Sequence, residues 1–143
     1  MHKTHNNSKQ RKAVLEAIRS TDTHPSVRWI HEQVKTKLPG ISLGTIYRNI
    51  KVCREEGSVV SVGVVNNEER FDGIVEPHPH AVCTKCGRII DIDDLPEAEN
   101  IHLSGFTVDK RRTVFYGTCV QCCRAGKNLL AQFGRLRKGF SHN

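Results

Sequence analysis

Apolar residues recur at helical spacing in three segments near the start of the chain. Ser8 is expected to cap a short first helix, whose apolar stripe contains Val14, Ala17 and Ile18. The second helix is expected between the start signal His24-Pro25-Ser26 and the stop signal Pro39-Gly40. Its apolar positions are Val27, Ile30, Val34 and Leu38.

A third helix follows, and after it the spacing of apolar residues changes from helical to strand-like. Ser42 is expected to open this helix, and Gly57 to end it in a left-handed cap. Its apolar face contains Leu43, Ile46, Ile50 and Cys53. Residues 58–65 and 68–72 then read as two strands joined by an Asn66-Asn67 turn. Three helices followed by a β-hairpin are the order of a winged helix-turn-helix, in which the third helix enters the DNA major groove.

The second half of the chain reads as short strands with one polar helical stretch, so the fold class predicted for the whole chain is α+β. The strands are expected at 81–82, 88–92, 106–108 and 113–116, and the helical stretch at 96–103. A module this small gains stability from a metal and from pairing with a second copy. The predicted organisation is a winged-helix DNA-binding domain (1–71), a hinge with metal ligands (72–79), a dimerisation domain (80–123) and a basic tail (124–143).

Charge divides the chain in the same way. Residues 1–57 contain 11 Lys and Arg against 5 Asp and Glu, whereas residues 58–123 contain 6 against 10. A basic module indicates a polyanionic partner, although a solvated basic surface would give the same count. No apolar stretch is long enough for a secretory signal or a membrane span, which favours a cytoplasmic protein with no membrane attachment.

The face of the third helix opposite its apolar stripe is the candidate DNA-reading surface. Arg and Asn side chains can read base edges, and Lys and Tyr more often hold phosphates. The alternative is that Tyr47 belongs to the core and the charges form a solvated face. The candidate residues are Thr45, Tyr47, Arg48, Asn49 and Lys51.

Four of the six cysteines form two C-x-x-C pairs, Cys83/Cys86 and Cys119/Cys122. Two such pairs about thirty residues apart predict a tetrahedral zinc site. A site with four thiolates has no open position, so this zinc is expected to be structural. Unrelated buried or redox-active cysteines are the alternative. Cys123 leaves the second pair open, because a C-x-x-x-C pairing from Cys119 is equally available, and Cys53 is expected in the core.

A second group of metal-ligand residue types lies between the two modules. His78 and His80 alternate on an extended segment, so their imidazoles face the same way. Further candidate ligands are Asp72 and Glu76 just upstream, Asp91 on the strand after Cys86, and His24 at the start of the second helix. Mixed imidazole and carboxylate ligands suit Fe(II) or Mn(II) better than thiolates do. The alternative is that these are ordinary surface histidines at a linker.

In order and spacing, these motifs resemble the ferric uptake regulator family from about Gln10 to Cys123. The matching segments are Gln10-Arg11, His24-Pro25, SLGTIYRNI at 42–50, Arg70-Phe71-Asp72, HPHAVCTKCG at 78–87 and YGTCVQC at 116–122. The resemblance implies a homodimeric repressor that binds an inverted-repeat DNA operator when its regulatory metal site is filled. It also implies that Cys122, rather than Cys123, is the fourth zinc ligand, with one structural Zn2+ per subunit.

The ligand types are most similar to the peroxide-sensing PerR branch of the family. That resemblance implies a regulatory Fe2+ or Mn2+ site formed by His24, Asp72, His78, His80 and Asp91. It further implies that peroxide oxidises His24 or His78 in the iron form and so releases DNA. A third family metal site would need a histidine where Arg111 stands, so that site is expected to be absent.

Other functions remain as alternatives. Within the family, these are an iron-responsive (Fur-like) or a zinc-responsive (Zur-like) repressor of metal homeostasis. From other classes, a zinc nucleobase deaminase needs His-x-Glu before Pro-Cys-x-x-Cys, and the sequence has no such pair. A thiol redox protein would need reactive C-x-x-C pairs. We therefore expect a regulator and not an enzyme.

Overall fold

The computed structural model describes residues 2–95, 103–108 and 111–126. Three helices come first: α1 His2–Arg19, α2 Val27–Lys35 and α3 Leu43–Glu55. Five strands follow in two sheets: β1 Val60–Val65, β2 Glu68–Asp72, β3 His80–Cys83, β4 Ile89–Asp91 and β5 Val114–Gly117. Residues 120–126 are also helical. The predicted α+β class is confirmed for the described residues.

The helix boundaries follow from local capping. The Ser26 side chain accepts a hydrogen bond from the Trp29 amide, and Ser42 does the same for Thr45. Gly57 follows α3 with φ +74°, a left-handed conformation that favours glycine. The predicted caps of the second and third helices are thus confirmed.

One main core lies among the three helices and the hairpin. Its wholly buried members include Val14, Ile30, Ile46, Cys53 and Phe71. Each large apolar side chain buried in this way contributes about 1.5–3 kcal/mol relative to leaving it exposed. This core fixes the position of β2, whose last residue is Asp72, against the helices.

Three helix predictions need correction. The first helix begins at His2, not at Ser8, because the polar residues before Ser8 include no proline or glycine to break it. The second helix ends at Lys35 rather than at Pro39-Gly40, since the residue before a proline is disfavoured in helical conformation. Leu43 lies in the first turn of α3 and is 38% exposed, so it is not part of the buried face.

Strands β1 and β2 form the predicted antiparallel hairpin. Asn66 and Asn67 both have positive φ, at +53° and +63°, as a two-residue type I′ turn requires. The register shifts between Ser61 and Gly63, which marks a bulge in β1.

The second sheet has the strand order β4-β3-β5, with β4 antiparallel and β5 parallel to β3. His80 pairs with Asp91 in this register, so the two side chains lie on the same face. Val82 and Ile89 also lie on this face and pack against Val62 and Val65 of the hairpin. The two sheets are therefore joined through a small apolar cluster.

Two predictions for the second half meet different outcomes. The strand expected at 106–108 is wrong: these residues are irregular, and Phe106 is 69% exposed, because no strand in the described part of the chain pairs with them. The helical stretch at 96–103 and the basic tail at 124–143 lie almost entirely outside the described residues. Among the helices that are described, none combines the length and apolarity needed to cross a membrane.

Candidate metal centres

The four cysteines of the two C-x-x-C pairs come together. Cys83 ends β3 and Cys86 lies in the turn after it, whereas Cys119 follows β5 and Cys122 lies in the helical turn beyond. Their sulfur atoms all lie within 4.8 Å of one another. Because β3 and β5 are adjacent and parallel, both pairs sit at the same end of the sheet. Four convergent thiols at this spacing fit a tetrahedral zinc ion.

Backbone amides lower the pKa of two of the four thiols, whereas the side-chain hydrogen bond with Cys119 raises the pKa of the Cys122 thiol to about 12. The amide of Cys119 donates to the Cys83 sulfur at 3.3 Å, and amides in the 83–86 turn add to its effect. These donors lower the pKa of the Cys83 thiol to about 6, and the Cys122 amide lowers the pKa of Cys119. Gly87 closes the turn at φ +72°, as expected for a backbone that folds around a metal.

Cys123 does not join the cluster. Its side chain is exposed, and its sulfur donates to the Thr118 carbonyl at 3.6 Å. Of the two adjacent cysteines, Cys122 is therefore the one that the geometry groups with the other three thiols. Cys53 is buried in the helical core as predicted, and burial raises the pKa of its thiol.

The second cluster unites five residues from separate parts of the fold. His24 lies in the loop between α1 and α2, Asp72 ends β2, His78 lies in the segment before β3, His80 begins β3 and Asp91 ends β4. One ligand atom from each lies within 4.8 Å of the other four. His24, Asp72 and His80 are buried. The residues predicted as a regulatory set are therefore brought together, whereas the Glu76 side chain is not among them.

Distances within this cluster match a coordination shell. Nε2 of each histidine lies 2.8–3.4 Å from Asp72 Oδ2 and from Asp91 Oδ1. In an octahedral site with bonds of roughly 2.1 Å, adjacent ligand atoms are roughly 3.0 Å apart. The three imidazoles and two carboxylates thus surround a volume of ionic size. Their mixed nitrogen and oxygen donors fit Fe(II) or Mn(II).

Neighbouring groups orient several of these ligands. The Nδ1–H of His78 donates to the Glu76 carbonyl at 2.8 Å, which leaves Nε2 as the unprotonated atom facing the cluster. Asp72 Oδ1 accepts the Ile74 amide at 2.8 Å, so Oδ2 is the oxygen that faces inward. Gly73 permits this turn, because a Cβ there would lie 2.7 Å from Cγ of Arg19. Sequence patterns gave no sign of these contacts.

Burial and charge shift two of the histidines in opposite directions. Burial lowers the pKa of His78, but its bond to Glu76 and the carboxylates of Asp91 and Asp72 outweigh burial and raise the value overall. Burial also lowers the pKa of His80, and the neighbouring histidines reinforce that direction against Asp72. The two histidines that share the carboxylates of Asp72 and Asp91 therefore have pKa values shifted in opposite directions.

The candidate DNA-reading face is only partly as predicted. Tyr47, Arg48 and Lys51 are exposed on α3, and Thr45 is half-buried with its hydroxyl 2.9 Å from that of Ser42. Asn49 was placed on the exposed face, but it is 7% exposed and donates its amide to the Thr45 carbonyl at 2.9 Å. A side chain that is buried and occupied in this way is not available to read a base edge.

Three helices and a hairpin thus lie against a small sheet, with one cluster of metal-ligand residues between the two parts and a second cluster within the sheet, an arrangement that suits a metal-responsive protein. The chain belongs to the ferric uptake regulator family, whose model matches residues 3–115. It is 35% identical over 119 residues to the peroxide operon regulator of Bacillus subtilis (strain 168), covering 80% of this chain and 82% of that protein. It is 34% identical over 121 residues to the peroxide-responsive repressor PerR of Staphylococcus epidermidis, covering 82% and 81%.

Solved structures agree with this assignment. The Campylobacter jejuni peroxide stress regulator superposes with a TM-score of 0.69 at 30% identity, over 85% of this chain and 96% of that chain. The Helicobacter pylori ferric uptake regulator gives a TM-score of 0.71 at 24% identity, over 80% of each chain. At that identity the second match supports the fold alone.

Proposed function

We propose that this protein is a metal-dependent DNA-binding repressor that responds to peroxide through oxidation of a histidine at its regulatory metal site. The observation that carries the proposal is the cluster of three histidines and two aspartates between the helical part and the second sheet. The peroxide response is supported by relatives at 34–35% identity that are named as peroxide regulators. The cysteine cluster would hold a structural zinc ion.

The regulatory cluster would connect two domains, because both contribute ligands to one ion. His24 comes from the helical part, which we assign as the DNA-binding domain (1–71), and Asp91 comes from the dimerisation domain (80–123). An ion bound by both favours the arrangement in which the domains are held together. Asp72 and His78 of the hinge (72–79) and His80 of the dimerisation domain complete the set.

The DNA surface would combine α3 with the hairpin. Tyr47, Arg48 and Lys51 are exposed on α3, and Thr45 in the first turn of this helix is half-buried. A groove connects Tyr47 to the hairpin turn and to Arg28 of α2, which lies 4.0 Å from Glu68. Its hairpin lining includes Asn66, Asn67, Glu68 and Glu69. This surface offers both planar guanidinium groups and polar turn residues, which suit the backbone and base edges of duplex DNA. An inverted-repeat operator would present it to each subunit of a dimer.

The second sheet supplies the surface for pairing two copies. Its outer face exposes Ile90 and Phe115, at 41% and 47%. Its two edges are β4 and β5, and no strand of the described chain pairs with their outer sides. Exposed apolar residues beside open strand edges favour association with another sheet.

Histidine oxidation requires that peroxide can reach the regulatory metal site and that an imidazole lies next to the ion. A cavity of about 670 Å³ opens beside His24, Asp72 and Asp91 and is large enough to admit peroxide. His24 and His78 would hold the ion beside their rings, and a bound Fe(II) would supply the redox activity toward peroxide that Mn(II) lacks. In the overall reaction one peroxide oxygen would be inserted into a ring C–H bond of His24 or His78, whose carbon loses two electrons. The other oxygen would leave as water, with no net change at the metal. Oxidised His24 is a poorer ligand, so the link between the domains is lost.

A DNA-binding titration tests this function. Zinc-loaded protein stripped of other metals is mixed with duplexes that the Mn(II)-loaded protein selects from a random library. Mn(II) and Fe(II) are both expected to restore binding, and peroxide is expected to abolish it only with Fe(II). Equal loss with both metals would contradict the mechanism. Restoration by iron or zinc with no response to peroxide would instead identify an iron-responsive or zinc-responsive repressor.

A further inference from the structure

The ring of His24 contacts the carboxylates of Asp72 and Asp91 through Nε2, and the rest of its orientation comes from its backbone. Its φ of +54° lies in the left-handed region, which is unfavourable for a residue with a side chain and more so before a proline. Its Nδ1 atom is buried with no hydrogen-bond partner in the described structure. His78 differs because its Nδ1 is anchored to the Glu76 carbonyl, and His80 differs because it lies within β3. The direction of the His24 ring therefore depends on how residues 23–25 are fixed.

The side chain of Arg70 fixes that segment. Its Nη2 donates to the Thr23 carbonyl at 2.8 Å, and its Nε donates to the carbonyl of His24 itself. The next residue, Phe71, donates its amide to the Pro25 carbonyl at 3.1 Å. Three consecutive carbonyls of the loop are thus bound by two consecutive residues of β2. A planar guanidinium fork suits adjacent carbonyls in a way that a lysine ammonium does not.

The same strand also supplies a ligand. Arg70 and Asp72 are two residues apart in β2, so both side chains project to one side, while Phe71 between them is 2% exposed in the core. Arg70 grips the backbone of His24, and Asp72 Oδ2 lies 3.4 Å from the His24 ring at Nε2. The backbone and the ring of His24 are therefore both positioned by the same strand, β2.

We propose that Arg70 is a positioning residue of the regulatory metal centre. By binding the carbonyls of Thr23 and His24, it holds the left-handed backbone that directs Nε2 of His24 toward Asp72 and Asp91. This inference rests on the proposed metal site but not on peroxide sensing. It assigns Arg70 a role in metal affinity although the residue itself touches no ligand atom of the cluster.

The test is a double-mutant cycle for Mn(II) affinity in the zinc-loaded full-length chain. Arg70→Lys keeps the charge but removes the fork, and we expect it to weaken Mn(II) binding by about 10- to 100-fold, as for other residues that orient metal ligands. The Mn(II) electron paramagnetic resonance spectrum should change as well, because one ligand is displaced. Zinc content should stay the same. Arg54→Lys is the matched control, since Arg54 is an arginine paired with Glu69 outside the site, and it should leave the affinity unchanged.

Combination with His24→Ala separates positioning from general stability. If Arg70 acts through His24, the double variant should bind Mn(II) as weakly as His24→Ala alone. Additive losses, wild-type affinity in Arg70→Lys, or loss of zinc and folding in Arg70→Lys would each overturn the inference. Absence of Mn(II) binding in the wild-type protein would overturn the proposed metal function together with it. If the wild-type protein binds Mn(II) and Arg70→Lys binds it equally well, only the role of Arg70 is overturned.

Discussion

Cys122 and Cys123 are neighbours in sequence, yet only Cys122 lies with the other three thiols. The helical turn at 120–126 rotates successive side chains by about 100°, so adjacent cysteines face different directions. Cys123 is exposed and bonds to the Thr118 carbonyl. The helical turn therefore places Cys122, and not Cys123, with the other three thiols, and the C-x-x-C spacing alone does not distinguish the two.

We expect Cys122→Ser to lose zinc and Cys123→Ser to retain it. Structural zinc sites bind with about 10–16 kcal/mol, so the loss of one ligand in four should weaken binding by roughly 100-fold. Metal analysis after gel filtration, with thermal unfolding followed by circular dichroism, measures both effects. The reverse pattern, with zinc lost only from Cys123→Ser, would show that this geometry is wrong.

Two residues of α3 show where a sequence pattern fails at this scale. The buried set is Ile46, Asn49, Ile50 and Cys53, which follows helical spacing if Asn49 is counted as an inside position. A polar residue can occupy that position because its amide bonds to the Thr45 carbonyl of the preceding turn. Leu43 is left half-exposed at the start of the helix. A pattern based on polarity alone places Leu43 on the buried face and Asn49 on the exposed face, which is the reverse of the structure.

At the scale of elements, α3 is the proposed reader of DNA. Arg48 is exposed near its centre, and no ion pair with a described carboxylate engages it. Arg48→Ala is expected to weaken DNA binding of the Mn(II)-loaded protein by about 1–3 kcal/mol, because a guanidinium contact to a base or phosphate is lost. Fluorescence anisotropy over a range of salt concentrations measures the loss.

Lys37→Ala is the control for charge. Lys37 follows α2, pairs with Glu16 of α1 at 3.3 Å and is not one of the candidate DNA-reading residues. Its replacement by alanine removes one positive charge, as Arg48→Ala does. It should change DNA affinity far less than Arg48→Ala does. Equal losses for the two variants would mean that overall charge, and not the α3 face, determines binding.

Elements defined by local signals could be predicted, and those that depend on distant pairing could not. Ser26, Ser42 and the Asn66-Asn67 turn act within a few residues, and each predicted boundary is present. The parallel pairing of His80 with Val114 joins segments far apart in sequence, and no local pattern specifies it. The Arg70 bonds to the loop before α2 were unpredictable for the same reason.

At the scale of the molecule, the two parts contact each other at several places within the described residues. One contact is the histidine and aspartate cluster, where His24 lies 2.8 Å from Asp91. Another is the packing of Val62 and Val65 of the hairpin on Val82 and Ile89 of the second sheet. Gly87 of the zinc-site turn lies against the Asn66 side chain, with no room for a Cβ between them. The zinc-site turn therefore supports the hairpin directly.

Removal of zinc should loosen the hairpin as well as the cysteine turns. We expect chelation to raise hydrogen exchange at residues 64–67 in addition to residues 83–87, because the support of Val65 and Asn66 is lost. Helix α2, which does not contact the zinc-site turn, should keep its protection and serves as the internal reference. Faster exchange confined to the cysteine turns would contradict this coupling.

The central claim is that peroxide is sensed by oxidation of histidines at the regulatory site. The direct measurement is tryptic peptide mass spectrometry of the zinc-loaded protein with Fe(II), or with Mn(II), after one equivalent of peroxide without oxygen. His24 falls in the peptide 20–28, His78 in 71–85 and the unrelated His31 in 29–35, which serves as an internal control. We expect one added oxygen atom on His24 or His78 with Fe(II) only, in proportion to the DNA released. Release of DNA while both histidines remain unmodified would contradict it.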